Sequence, residues 1–218
     1  MMFPKTLGRE DIFPTPLWMG EVPGKLKEIN KICDLHINQA KKNYKKKLKE
    51  KNKFYKTKND HGLVYHSNLI SKDPKLKDFN TYIVATCHNL LLEMGFDLTN
   101  YKVNLDEIWV QEFAKSGGGH HTLHTHWNGH MSGFYFLKAS EKTSKPVFQD
   151  PKPGAAMNSL PLKQMKELVY GVPQIEYVVK SGRMMFFPSY MPHLYTVDEG
   201  VEPFRFIHWN CRAYPKNV

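Results

Sequence analysis

The stretch Gly118-Gly-His120-His121-Thr-Leu-His124-Thr-His126-Trp-Asn128-Gly-His130-Met-Ser132-Gly-Phe-Tyr135-Phe-Leu137 decides how the rest of the chain is read. Five of the eleven histidines fall between positions 120 and 130. Residues 120–126 and 131–138 are short runs rich in aromatic and β-branched side chains, interleaved with glycine, and read as strands. Side chains alternate along a strand, so His124 and His126 are expected to share a face and His121 to point away. Two imidazoles on one face can converge on a metal ion, which needs its nitrogen ligands at about 2 Å. A third ligand should come from another strand. His193 is the best candidate, because it follows a strand and the proline-framed turn Pro188-Ser-Tyr-Met-Pro192. His120 and His130 lie near enough to assist. The isolated His36, His61, His66 and His88 read as surface or core residues.

Outward from this stretch the same texture continues. Strands are expected near 107–113, 120–126, 131–138, 146–149, 175–180, 183–187, 193–197 and 204–210. Eight short strands at this spacing predict a mainly β sandwich or jelly roll. Residues 151–173 interrupt it with Pro151, Pro153, Gly154, Pro161 and Pro173 around an expected helix at 162–169, and so long an insertion reads as a functional loop. Toward the N-terminus the texture is helical. Leu26, Ile29, Ile32, Cys33, Ile37, Ala40, Tyr44 and Leu48 recur at three and four. A second helix starts with Asp73 as N-cap and Pro74 in the first turn, and Gly95 stops it. The two helices should flank the β core within one domain, 1–218, with a helical part at 1–104 and the barrel at 105–218.

The chain has 31 Lys and Arg, 21 Asp and Glu, and a formal charge of +10. Ten lysines and a single acid, Glu50, lie between Lys41 and Lys58, so this tract holds nearly all the excess. It offers a surface for nucleic acid, but no arginine cluster or stacking motif accompanies it, and a solvated helix end is the preferred reading. Three scattered cysteines without a C-x-x-C pair exclude a disulfide scaffold or a cysteine-rich zinc module and favour a reducing cytoplasm. No run approaches the roughly 20 apolar residues of a membrane span.

The segment His124-Thr-His126…Ser132-Gly133-Phe-Tyr135-Phe-Leu137 resembles the H-x-H…S-G-x-Y-x-L signature of 2-oxoglutarate- and Fe(II)-dependent oxygenases of prolyl 4-hydroxylase-like type. Ile12-Phe-Pro-Thr-Pro-Leu-Trp18, Phe148-Gln-Asp150-Pro151 and Phe187-Pro-Ser-Tyr-Met-Pro-His193 are similar to further family segments, in order along nearly the whole chain. The resemblance implies a double-stranded β-helix (a jelly-roll or cupin-like barrel) with the metal at one end. It implies Fe(II) on His124, His126 and His193, and 2-oxoglutarate and O₂ on the open positions. Arg205, twelve residues past His193, stands where the family places the cation for the far carboxylate, and Tyr135 would add a hydroxyl. Oxidative decarboxylation to succinate and CO₂ would drive oxidation of a substrate, which is a small molecule, a peptide or a protein side chain.

The chain departs from the better-known members in two places. His126 stands at their acidic position, and Ile207 replaces the serine of an Arg-x-Ser pair. Asp150 is an alternative source of the missing carboxylate. Trp109 and Gln111, two apart on a strand leading into the site, are candidates for the cavity wall, with Asn128 and Asn210 behind them. Two rivals stay open. One is a cupin-type metal enzyme without 2-oxoglutarate, and Arg205 separates it from the first reading. The other is a non-enzymatic metal-containing module that binds nucleic acid.

Overall fold

The computed structural model describes residues 9, 11–56, 59–152, 154, 160–163 and 169–216. Among the described residues, ten strands and two α-helices make up most of the regular structure: β1 (Trp18–Glu21), α1 (Leu26–Tyr55), β2 (Val64–His66), α2 (Lys77–Glu93), β3 (Tyr101–Phe113), β4 (His121–His124), β5 (Met131–Lys138), β6 (Pro146–Gln149), β7 (Gln174–Glu176), β8 (Arg183–Pro188), β9 (His193–Tyr195) and β10 (Arg205–Pro215). They form two antiparallel sheets, six-stranded β1-β8-β5-β10-β3-β2 and four-stranded β4-β9-β6-β7. With the two helices, this is the mainly β jelly roll expected. The eight expected strands are present. β1 and β2, three or four residues each, were too short to announce themselves.

The helices form where the periodicity placed them. Asp73 accepts a hydrogen bond from Lys75 N at 3.0 Å and opens a single 3₁₀ turn that leads into α2. Gly95 ends α2 with a positive φ of 89°, a conformation that costs glycine little. α1 runs through most of the lysine tract. Lys41 and Lys51 are committed to Glu112 and to the His61 carbonyl, while Lys58 lies outside the described residues, as does most of the helix expected at 162–169. No helix among the described residues is long and apolar enough to cross a membrane.

Two apolar layers hold the structure together. Ile29, Ile32, Cys33 and Ile37 of α1 and Ile83, Cys87, Leu90 and Leu91 of α2 cover the outer face of the large sheet, against Ile108, Val110, Tyr135, Ile207 and Trp209. Between the sheets Phe113, Phe134, Phe136, Phe148, Phe187, Tyr195, Phe204 and Phe206 form an aromatic core. The central strands of the large sheet, β8, β5 and β10, are therefore buried on both faces, and alternation divides their side chains between the two layers. Gly133 of β5 allows the closest approach. A Cβ there would lie 2.3 Å from the Trp209 ring and 2.4 Å from the Met185 carbonyl, so only glycine fits.

Candidate metal centre

Three imidazoles meet at one end of the space between the sheets. His124, His126 and His193 each place a ring nitrogen within 4.8 Å of the other two. The ring centroids are 4.4 Å apart for His124–His193, 5.1 Å for His124–His126 and 5.2 Å for His126–His193. His124 ends β4 and pairs with His193 at the start of β9. β4 stops there, so His126 does not share its strand face, as the sequence reading had it. His126 sits in the following turn, where its N–H donates to the Ser189 carbonyl at 2.9 Å. The pairing of β4 with β9 is irregular between His121 and His124, which also turns His121 inward rather than away. There His121 Nε2 donates to Gln111 Oε1 at 2.6 Å.

The hydrogen bonds fix which nitrogens are free. His124 Nδ1 donates to the Thr122 carbonyl at 2.7 Å, and His193 Nδ1 to the Met191 carbonyl at 3.0 Å. Each keeps a lone pair on Nε2, the arrangement a metal-ligating histidine needs. His126 Nε2 is buried without a partner among the described residues, and its Nδ1 lies 3.3 Å from Asn210 Nδ2. Glu107 holds the Asn210 amide with its nitrogen toward His126, so Nδ1 accepts in the metal-free ring, and a metal on Nε2 would require that contact to open. Burial pushes His126 down to about 4, with His124 adding to the effect, and burial pushes His193 down to about 3. Both rings are neutral near pH 7, as ligation requires. The donor set fits a divalent first-row metal, and three protein ligands leave coordination positions open.

Behind the triad lies a polar network. Ser189 Oγ and Ser132 Oγ are 2.8 Å apart, Ser132 donates to Asn210 Oδ1 at 2.7 Å, and Asn210 Nδ2 donates to Glu107 Oε2 at 2.8 Å. Asn210 thus lies behind His126, and Glu107 beside it escaped the sequence reading. So did His208, whose ring lies 4.6 Å from that of His126. The one signal was shared strand parity with Asn210. Trp109 faces the same space, packed between His66 and His208 at centroid distances of 5.0 and 4.7 Å. His130 is turned aside, accepting from Ala213 N, and Asn128 is exposed in the turn after His126. Asp150 accepts from Lys152 N and lines a separate cavity of about 640 Å³ with Leu17, Phe148 and Tyr177, so it is no third ligand in this structure.

The two residues expected to hold 2-oxoglutarate face the other way. Arg205 is 4% exposed but points at the helices. Its Nε donates to Glu112 Oε2 at 2.7 Å, and its Nη1 donates to Asp34 Oδ1 at 2.6 Å and Asn30 Oδ1 at 2.8 Å. Phe206 takes the inward position, stacked on Tyr195 at 4.6 Å. The sequence reading had this alternation in the opposite phase. The acids on α1 and β3 draw the guanidinium outward, while the aromatic core takes the phenyl ring. Tyr135 is likewise on the helix side, donating to the Val22 carbonyl at 2.7 Å. Phe204 and Phe206 thus occupy the inner face where the carboxylate anchor was expected, and Arg205 and Tyr135 do not fit that role.

Residues 107–203 match the model of a family described as "Putative 2OG-Fe(II) oxygenase". A comparison with curated proteins finds no match. Among solved structures, the chain is similar to a prolyl-4-hydroxylase of Pseudomonas putida, with a TM-score of 0.54 and 11% identity over 91% of this chain and 93% of that one. It is also similar to the epimerase SnoN in complex with Fe3+, alpha ketoglutarate and nogalamycin RO, with a TM-score of 0.56 and 12% identity over 94% of this chain and 83% of that one. At these identities the structures speak for the shared fold. The matched residues 107–203 carry the histidine triad, so over somewhat less than half of its length the chain is similar to the 2OG-Fe(II) oxygenase family.

Proposed function

We infer that the protein is an iron-dependent oxygenase that uses O₂, with 2-oxoglutarate as cosubstrate, to oxidise a substrate of unassigned class. The observation that carries this reading is the convergence of His124, His126 and His193, with Nε2 of His124 and His193 left free by backbone acceptors. Iron bound there with its cosubstrate would supply O₂ activation coupled to oxidative decarboxylation. The chain's own part is to hold three imidazoles together and to surround them with an aromatic wall. Phe134, Phe148 and Phe187 all lie against the His193 ring, at centroid distances of 5.5, 6.0 and 4.9 Å. Such packing excludes water from the back of the centre. 2-Oxoglutarate enters the reading through the family, and its far carboxylate must be met by groups other than Arg205.

One observation favours a second reading, a cupin-type metal enzyme without 2-oxoglutarate. Phe204, just before β10, and Phe206 on its inward face stand there instead of a cation. A single experiment addresses both. Fe(II) is added under anaerobic conditions, followed by a titration with 2-oxoglutarate. A visible metal-to-ligand charge-transfer band that saturates is the expected result. Iron binding with no band at millimolar cosubstrate would transfer the assignment to the second reading. Loss of iron binding on His193→Ala, by at least about tenfold, checks the centre itself.

A further inference from the structure

His208 is 3% exposed, and the triad does not use it. Its Nδ1 lies 3.0 Å from the Gly133 carbonyl, which can only accept, so Nδ1 carries the proton. Nε2 then bears a lone pair. That atom is buried and finds no partner among the described residues. The ring packs against His126 at 4.6 Å, Trp109 at 4.7 Å and Phe134 at 5.1 Å, and is 6.4 Å from His193. Trp109 Nε1, on the neighbouring strand, is a second buried polar atom without a partner. An acceptor and a donor left unmatched side by side would each be costly in a native core unless something bridges them. The aromatic wall supplies nothing that does.

We propose that His208 Nε2 is the hydrogen-bond acceptor for a protonated oxygen or nitrogen of the molecule seated on the open metal positions, with Trp109 Nε1 as the matching donor. In the resting centre that molecule is water; during turnover, when 2-oxoglutarate and O₂ take those positions, the donor is a hydroxyl or N–H of the substrate held beside the metal. His208 is not a fourth ligand, because it falls outside the group of nitrogens within 4.8 Å of one another. It is a positioning residue, and its role rests on the metal reading above.

The test uses Co(II)-loaded protein, whose visible spectrum changes when bound water loses a proton. A neutral acceptor holds bound water better than bound hydroxide, the weaker donor. His208→Phe should therefore lower the midpoint of that spectral transition by about one pH unit, with Co(II) affinity kept within about threefold of the native value. His208→Gln, which retains an amide oxygen as acceptor, should stay near the native midpoint. A midpoint the same in both variants as in the native protein would overturn the proposal. Co(II) binding weakened about tenfold or more by His208→Phe would make the residue a ligand and overturn it too. If the native protein takes up no Co(II) in calorimetry, the metal centre itself falls, and that outcome is separate from the other two.

Discussion

Arg205 shows how a single residue can be read with the right chemistry and the wrong direction. The sequence marks it as a buried cation that must have acid partners, and it does. Glu112, also buried, receives it together with Lys41. Burial pushes the Glu112 carboxyl up, but Lys41 and Arg205 outweigh that and hold it below the usual carboxylate range. Removing the guanidinium leaves this carboxylate to Lys41 alone. Arg205→Leu should therefore cost about 1–3 kcal/mol of stability, while affinity for metal and for 2-oxoglutarate stays unchanged. Urea unfolding and calorimetry on the same variant check both halves. A large loss of 2-oxoglutarate affinity in a stably folded variant would reinstate Arg205 as an anchor. The histidines of the triad were legible because ligand chemistry restricts the residue types. The phase of β10 was not, because both its faces are buried and neither side shows a polar pattern to read.

At the scale of elements, the decisive piece is the turn after β4. The sequence reading extended the strand through His126, and the structure ends it at His124. His126 still reaches the centre because the turn is pinned, with its N–H on the Ser189 carbonyl and Gly129 packed against the Ser189 side chain. A Cβ at Gly129 would lie 2.6 Å from Ser189 Oγ. Gly129→Ala should therefore move His126 and weaken metal binding by about tenfold, the range seen when support behind a ligand is disturbed. The melting temperature of the metal-free protein should hardly change. Metal titration and a thermal scan compare the two effects. Eight of the ten strands, and their order of appearance, were legible from spacing alone. A one-residue irregularity in pairing was not, since it follows from contacts between β4 and β9 that no local pattern encodes.

For the molecule as a whole, the interior is unusual in collecting neutral imidazoles. Burial pushes His121 down to about 4, as it does His126, and His193 down to about 3. The unfolded chain regains ordinary histidines near 6.5, so between that value and about 4 it binds protons that the folded chain refuses. Stability is then full above about pH 6.5 and falls as the pH drops, by roughly 1.4 kcal/mol per pH unit for each such histidine. The urea midpoint of the metal-free protein, followed from pH 7.5 to 4.5, should decline steadily below 6.5. A flat profile would mean that these rings open to solvent before the molecule unfolds. The helix-plus-barrel layout was visible in the sequence because two periodicities, 3.6 and 2, divide the chain near residue 100. The basic tract was visible too, and in the structure its residues up to 55 lie on the long helix α1.

The place of β10 in the large sheet bears on how the chain reaches its folded state. It is the last strand in sequence, yet it lies between β5 and β3, hydrogen-bonded to both. During synthesis β3 and β5 emerge from the ribosome long before the strand that joins them. Until residues 205–215 are available, each presents an open, apolar edge, and the face that will receive α1 and α2 is split in two. Completion is thus a late, long-range closing step, of the kind that slows folding and exposes a nascent chain to self-association. A ribosome stalled before codon 205 would hold a chain that has all three metal-binding histidines and no finished barrel to place them.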